Sequence, residues 1–461
     1  MKKTPFVRMN RRHFLAGSGA VGLSATGLTL SGMRAASAQA SKLEGYKALV
    51  CVLLAGGADS FNMLVPSDAA YYDRYASFRS DLALARETLV PLEYDDAGRQ
   101  FGLHPALGTL GSLFDDGKLA FVSNVGLMVE PTTEAAITSG SLRLPLGLFS
   151  HSDQIEQWQT SLPDARVGTG VAGRMADLLA APSTSSADIS MNISLGGANT
   201  WQTGQRVVEY AISGDGEGVQ PVFGYDETPV IANPVDTMLA QSYASLFRRE
   251  YAGRLRGAVD AGIAFSAALR SAPTIATEFA GDPFSRSMQM IARTIGARES
   301  LGAARQTFFV VYGGWDHHDN LLSSQAQMLP ALNAGLSAFE LAMEELDLAS
   351  SVTTFTISDF GRTLTSNGRG SDHGWGGHQI VMGGAVNGGE IFGAYPELIQ
   401  GEALDVGRGN YAPTLSTDEF YAEIAQWFGV ANTDLSTVLP NVGRFYDPTS
   451  GAPPIGFLEP G

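Results

Sequence analysis

Three stretches of the chain share one grammar: an apolar run rich in β-branched or aromatic residues, a short turn, then an aspartate. They are Ala48–Leu54 leading to Gly56-Gly57-Ala58-Asp59, Thr307–Tyr312 leading to Gly313-Gly314-Trp315-Asp316, and Val352–Ile357 leading to Ser358-Asp359. Runs of this length without strict alternation suit strands buried on both faces, as in a parallel sheet covered by helices. Helical stretches lie beside them: Gln325–Leu348 places Leu332, Leu336, Phe339, Met343 and Leu346 at helical spacing, and Asp418–Phe428 opens with acidic residues that suit the helix dipole. The pattern predicts an α/β fold, a doubly wound and mostly parallel sheet with helices on both faces. Ligands of such sheets gather at the carboxyl ends of the strands, where the three aspartates fall. Residues 182–235 are rich in Ser, Thr and Gly and read as loops and short strands inserted into a single domain spanning 41–461.

The N-terminus reads as an address. Asn10-Arg11-Arg12-His13-Phe14-Leu15 places an arginine pair before a weakly apolar stretch that closes at Ala36-Ser37-Ala38-Gln39-Ala40. It resembles a twin-arginine signal over residues 1–40, which implies passage through the twin-arginine translocation machinery to the periplasm or the exterior. No later stretch approaches the length of a spanning helix, so no stable membrane span is expected after cleavage. The formal charge is −17, and the first forty residues hold six Lys or Arg and no acid, so the remainder is more acidic still. Such a body repels a polyanion, and no nucleic-acid partner is expected. The single cysteine, Cys51, sits in an apolar run and reads as a small buried hydrophobe.

Five histidines lie in polar, Gly-rich or Ser-rich motifs: His151, His317, His318, His373 and His378. Asp316-His317-His318-Asp319 follows an expected strand directly, and Asp372-His373-Gly374-Trp375-Gly376-Gly377-His378 begins thirteen residues after Asp359. Imidazoles mixed with carboxylates suit zinc, manganese or iron better than calcium. Two divalent ions about 4 Å apart would clamp the attacking and leaving oxygens of a displacement at phosphorus or sulfur. No Gly-x-Ser-x-Gly elbow, P-loop or His-Glu-x-x-His occurs, which disfavours serine-esterase, nucleotide-triphosphatase and zincin chemistry.

Together with Leu54–Pro66, Leu103–Leu107, Ser150-His151 and Ser358–Thr363, these motifs make the chain resemble the exported bacterial domain-of-unknown-function family numbered 1501, grouped with the alkaline-phosphatase-like superfamily. The resemblance implies an alkaline-phosphatase-like core with two metals, acting as a hydrolase of phosphate or sulfate esters on a small anionic substrate. It implies Asp59 and Asp359 as ligands of the second metal, and Asp316 with His318 or His317, completed by His373 or His378, at the first. Phe360 stands where the superfamily carries a histidine, and Asp372-His373 is an alternative pair for that place. A hydroxyl nucleophile is also implied. Ser150 is the choice, although the same residue reads equally well as the cap of a helix starting at His151. Ser60 is a weaker candidate, and His151 reads as a further ligand or a hydrogen-bond partner. Arg362 would hold an ester oxygen bidentately or serve in an ordinary ion pair. The alternative function is a non-catalytic exported binding or assembly protein with a partial metal site.

Overall fold

The computed structural model describes residues 45–180, 189–216, 218–219, 225 and 229–460; the proposed export signal lies outside them. The three segments with one grammar form adjacent strands. With β1 at Lys47–Ala55, β2 at Leu119–Gly126, β3 at Arg305–Gly313, β4 at Val352–Ser358 and β5 at Gly377–Met382, the centre of a nine-stranded sheet runs β2-β5-β4-β1-β3. β1 is parallel to both β3 and β4, whereas β5 runs antiparallel to its two neighbours. Short strands Ile391–Phe392 and Leu415–Ser416 pair parallel to β2, and Asn192–Ser194 extends the other edge beside β3, followed by Tyr210–Ala211. Residues expected as an insertion thus supply two edge strands to the main sheet. A helix also begins within that stretch, at Pro229.

Alternation along β1 explains why its sequence is apolar throughout. Val50, Val52 and Leu54 join one buried cluster with residues of Pro283–Gly296 and Leu321–Glu345; Leu49, Cys51 and Leu53 join a second with residues of Val171–Leu179 and Thr417–Phe428. Helices therefore cover both faces, as a parallel sheet requires. Cys51 is wholly buried among these groups, and burial pushes its thiol pKa up. The expected helix at 325–348 occupies Leu321–Glu345 and stops before Asp347, whose φ of 57° is left-handed. The helix expected at 418–428 starts one residue earlier, behind a capping box formed by Ser416 and Glu419. No helix among the described residues is long and apolar enough to cross a membrane.

Register places the site. Ala55 pairs with Gly313 and Leu54 with Ser358, so β1, β3 and β4 end level with one another and release their aspartate-bearing turns at the same edge.

Candidate metal centre

The turn after β1 is pinned before any chemistry is considered. Gly56 has φ of 120°, and a Cβ there would lie 2.5 Å from the Asp316 amide nitrogen; at Gly57, with φ of 79°, it would lie 2.4 Å from the Phe360 ring. Only glycine permits both the left-handed backbone and this closeness. Arg362, wholly buried, ties the three turns together. Its Nε donates to the Gly57 carbonyl (2.7 Å), and its terminal nitrogens donate to the carbonyls of Gly56 (2.6 Å) and Ser371 (2.9 Å) and to Asp316 Oδ1 (2.5 Å). Of its two expected roles, the structure displays the ion pair. The guanidinium is directed at protein acceptors.

Around Asp316 three imidazoles converge. His151 Nε2 lies 3.4 Å from Asp316 Oδ2, while His318 Nε2 and His373 Nε2 lie 3.1 and 3.4 Å from Oδ1. The two latter nitrogens are 2.9 Å apart. Each ring is held from behind at Nδ1: His151 by Asp359 Oδ2 (2.7 Å), His318 by Asp372 Oδ1 (3.1 Å) and His373 by the Phe149 carbonyl (2.8 Å). Carbonyl and carboxylate oxygens accept, so each Nδ1 is the donor, and a ring in its neutral form then turns an Nε2 lone pair toward the centre. Three such lone pairs beside a carboxylate repel one another unless a positive species lies among them. The arrangement of metal-binding imidazoles, each with its second nitrogen engaged by an outer acceptor, is the one that metal centres use to fix tautomer and ring orientation. His151, Asp316 and His373 offer ligand atoms that all lie within 4.8 Å of one another.

Electrostatics favours the same conclusion. Burial works against the Asp316 carboxyl, but the hydrogen bond and charge of Arg362 hold it below its usual range. Burial likewise opposes Asp372, yet hydrogen bonds from Asn367, Arg408 and His318 bring it down to about 2. The rings are walled by Phe360, whose centroid lies 4.3 Å from that of His373 and 4.9 Å from that of His151. The residue in the place of an expected histidine therefore packs the imidazoles instead of ligating. Asp316 and His318 remain substantially exposed, which leaves the centre open to solvent.

The other expected site residues lie elsewhere or act at one remove. Asp59 does not face the imidazoles. It is wholly buried in an ion pair with Arg79, at the end of the helix Ala69–Arg79, and its Oδ1 has no partner among the described residues. Asp359 is an outer acceptor, with Oδ1 taking the Gly56 amide (3.0 Å) and Oδ2 taking His151. Asp372 plays the same outer part for His318. His317 is buried away from the centre, with no partner for either ring nitrogen among the described residues, and burial, then Arg362, lowers its pKa. His378, on β5, accepts the Asn124 amide at Nδ1 (3.2 Å) and stacks on Tyr395. Burial drops its pKa to about 3, so it is a neutral core histidine. Ser150 is the N-cap of the helix His151–Thr160, accepting the Asp153 amide at a long 3.5 Å. Ser60 donates no ligand either; its hydroxyl accepts the His378 amide. His151, which the sequence offered as a further ligand or a hydrogen-bond partner, is at the heart of the cluster.

Eight of the expected site residues, from Asp316 to His378, fall within one family match. Residues 237–437 match the family described as Protein of unknown function (DUF1501). The chain thus resembles DUF1501 across the stretch that carries Asp316, His318 and His373, while Asp59, Ser150 and His151 lie before it. No curated protein matches the sequence. Among solved structures, Ps i-CgsB in complex with k-i-k-neocarrahexaose is 8% identical, with 86% of this chain and 72% of that one covered at a TM-score of 0.33. The PsFucS1 sulfatase from Pseudoalteromonas sp. is 9% identical, with coverages of 87% and 71% and a TM-score of 0.32. The alkaline phosphatase from the Antarctic bacterium TAB5 is 10% identical, with coverages of 77% and 96% and a TM-score of 0.24. At such scores these likenesses carry no argument about chemistry, and the reading of the site rests on its own geometry.

Proposed function

We propose that the protein is a metal-dependent hydrolase of phosphate or sulfate esters of a small molecule, exported by the twin-arginine route to the periplasm or the exterior. The observation that carries this reading is the cluster at the carboxyl edge of the sheet, where the Nε2 atoms of His151, His318 and His373 face Asp316 while each Nδ1 is engaged by an outer oxygen. The donor set of imidazoles and carboxylate fits zinc, manganese or iron. A divalent ion held there supplies Lewis acidity. The chain's own groups do the rest: Asp359, Asp372 and the Phe149 carbonyl fix the rings, and Arg362 locks the turns that carry Asp59, Asp316 and Ser371. Ser150 remains the proposed nucleophile, because it precedes His151 and the contacts of its hydroxyl, with the Asp153 amide (3.5 Å) and Ser152 Oγ (3.3 Å), are long. Giving up that cap would cost about 1 kcal/mol. Exposed amides of the same helix end favour an anion beside it.

Incubating the zinc-, manganese- or iron-loaded protein with a panel of phosphate and sulfate esters tests the reading. Turnover that disappears in His373→Ala is the expected result; no turnover of any ester with any of the three metals contradicts it. A second reading, an exported binding or assembly protein with a metal site, draws support from Arg362, whose donors are spent within the fold. Metal uptake without turnover would favour it.

A further inference from the structure

Resting on the reading of the centre as a cation site, we infer that the chain holds one divalent cation and not two, with His151 among its ligands and Arg79 standing in place of the second ion. Four-coordinate zinc, with bonds of about 2.0–2.1 Å, sets its ligand atoms about 3.3 Å apart. His151 Nε2 lies 3.4 Å from Asp316 Oδ2 and His373 Nε2 3.4 Å from Asp316 Oδ1, each close to that spacing, and His318 adjoins the same group through Asp316 and His373.

The carboxylates implied for a second site are engaged within the fold, Asp59 through Oδ2 alone and Asp359 through both oxygens. Asp59 is neutralised by Arg79, both side chains are fully buried, and the guanidinium is further held by Asn62 Oδ1 (3.0 Å) and the Thr363 carbonyl (3.2 Å). Both oxygens of Asp359 accept hydrogen bonds from the protein, and the next residue, Phe360, has no donor atom to offer. A second ion at Asp59 would have to share a buried carboxylate with a guanidinium that has no route to solvent. The fixed positive charge of Arg79 therefore performs the neutralisation that a metal would perform there.

Calorimetric titration of the chelator-stripped full-length protein with zinc chloride decides the matter. One equivalent per chain is expected, with affinity reduced about 100-fold or more in His151→Ala. Asp59→Asn should still bind one equivalent. Because that change leaves Arg79 buried without its partner, Arg79→Lys is titrated beside it and should also bind one. Two equivalents in the unaltered protein, or zinc uptake that His151→Ala leaves unchanged, overturns the inference, as does the absence of any zinc binding. Ester turnover measured on the same samples separates the two readings: one bound zinc without turnover upholds the single site and removes the hydrolase, whereas two bound zinc ions with turnover do the reverse.

Discussion

Arg79→Met is expected to lower the unfolding free energy by about 3–5 kcal/mol, measured by denaturant titration with thermal unfolding as a check. Breaking a fully buried ion pair from one side leaves its other charge without compensation, and that penalty exceeds the loss of the contact itself. Here the stranded group is Asp59, whose Oδ1 already lacks a partner among the described residues. The loss would extend to Asn62, because its Oδ1 serves Arg79 Nε and the Tyr75 hydroxyl (2.8 Å) together. The double variant Arg79→Met with Asp59→Asn removes both charges and should be more stable than Arg79→Met alone. A double variant as unstable as the single one would show that the guanidinium matters through its packing and its carbonyl contacts, not through Asp59.

The second large effect is expected at the centre itself. Asp316→Ala should weaken zinc binding by more than about 100-fold, whereas Asp359→Asn, which alters only the acceptor behind His151, should cost about 10–100-fold. Competition with a chelating dye reads both. The fold should survive Asp316→Ala because Arg362 keeps the carbonyls of Gly56, Gly57 and Ser371 as acceptors. Equal affinities for Asp316→Ala and the unaltered protein would remove the carboxylate from the ligand set.

Much of the architecture was legible in the chain because β1, β4 and the first two thirds of β3 are buried on both faces and so are written as runs rich in apolar and β-branched residues. Their level carboxyl ends follow from parallel register, which is why Asp316 and Asp359 emerge at one edge. The partners of those aspartates were less legible. Asp59 has the same position in the same grammar, yet a cation from a helix twenty residues away claims it, and nothing in a local motif announces a long-range ion pair. Phe149 contributes a backbone carbonyl from a residue with φ of 73°, a feature with no side-chain signature. His373 and His378 share one Gly-rich motif, but only His373 faces the centre, since β5 carries His378 into the core. For Arg362, the ion pair was one of two roles read from sequence. Ser150 displays its capping role at the start of the helix His151–Thr160.

X-ray absorption at the zinc edge of the zinc-loaded full-length protein tests most directly whether the imidazoles surrounding Asp316 hold a cation. The geometry predicts nitrogen and oxygen neighbours at about 2.0–2.1 Å, outer scattering from at least two imidazole rings, and the loss of one ring's contribution in His151→Ala. A shell of oxygen alone, or a spectrum that His151→Ala leaves unaltered, would contradict the account.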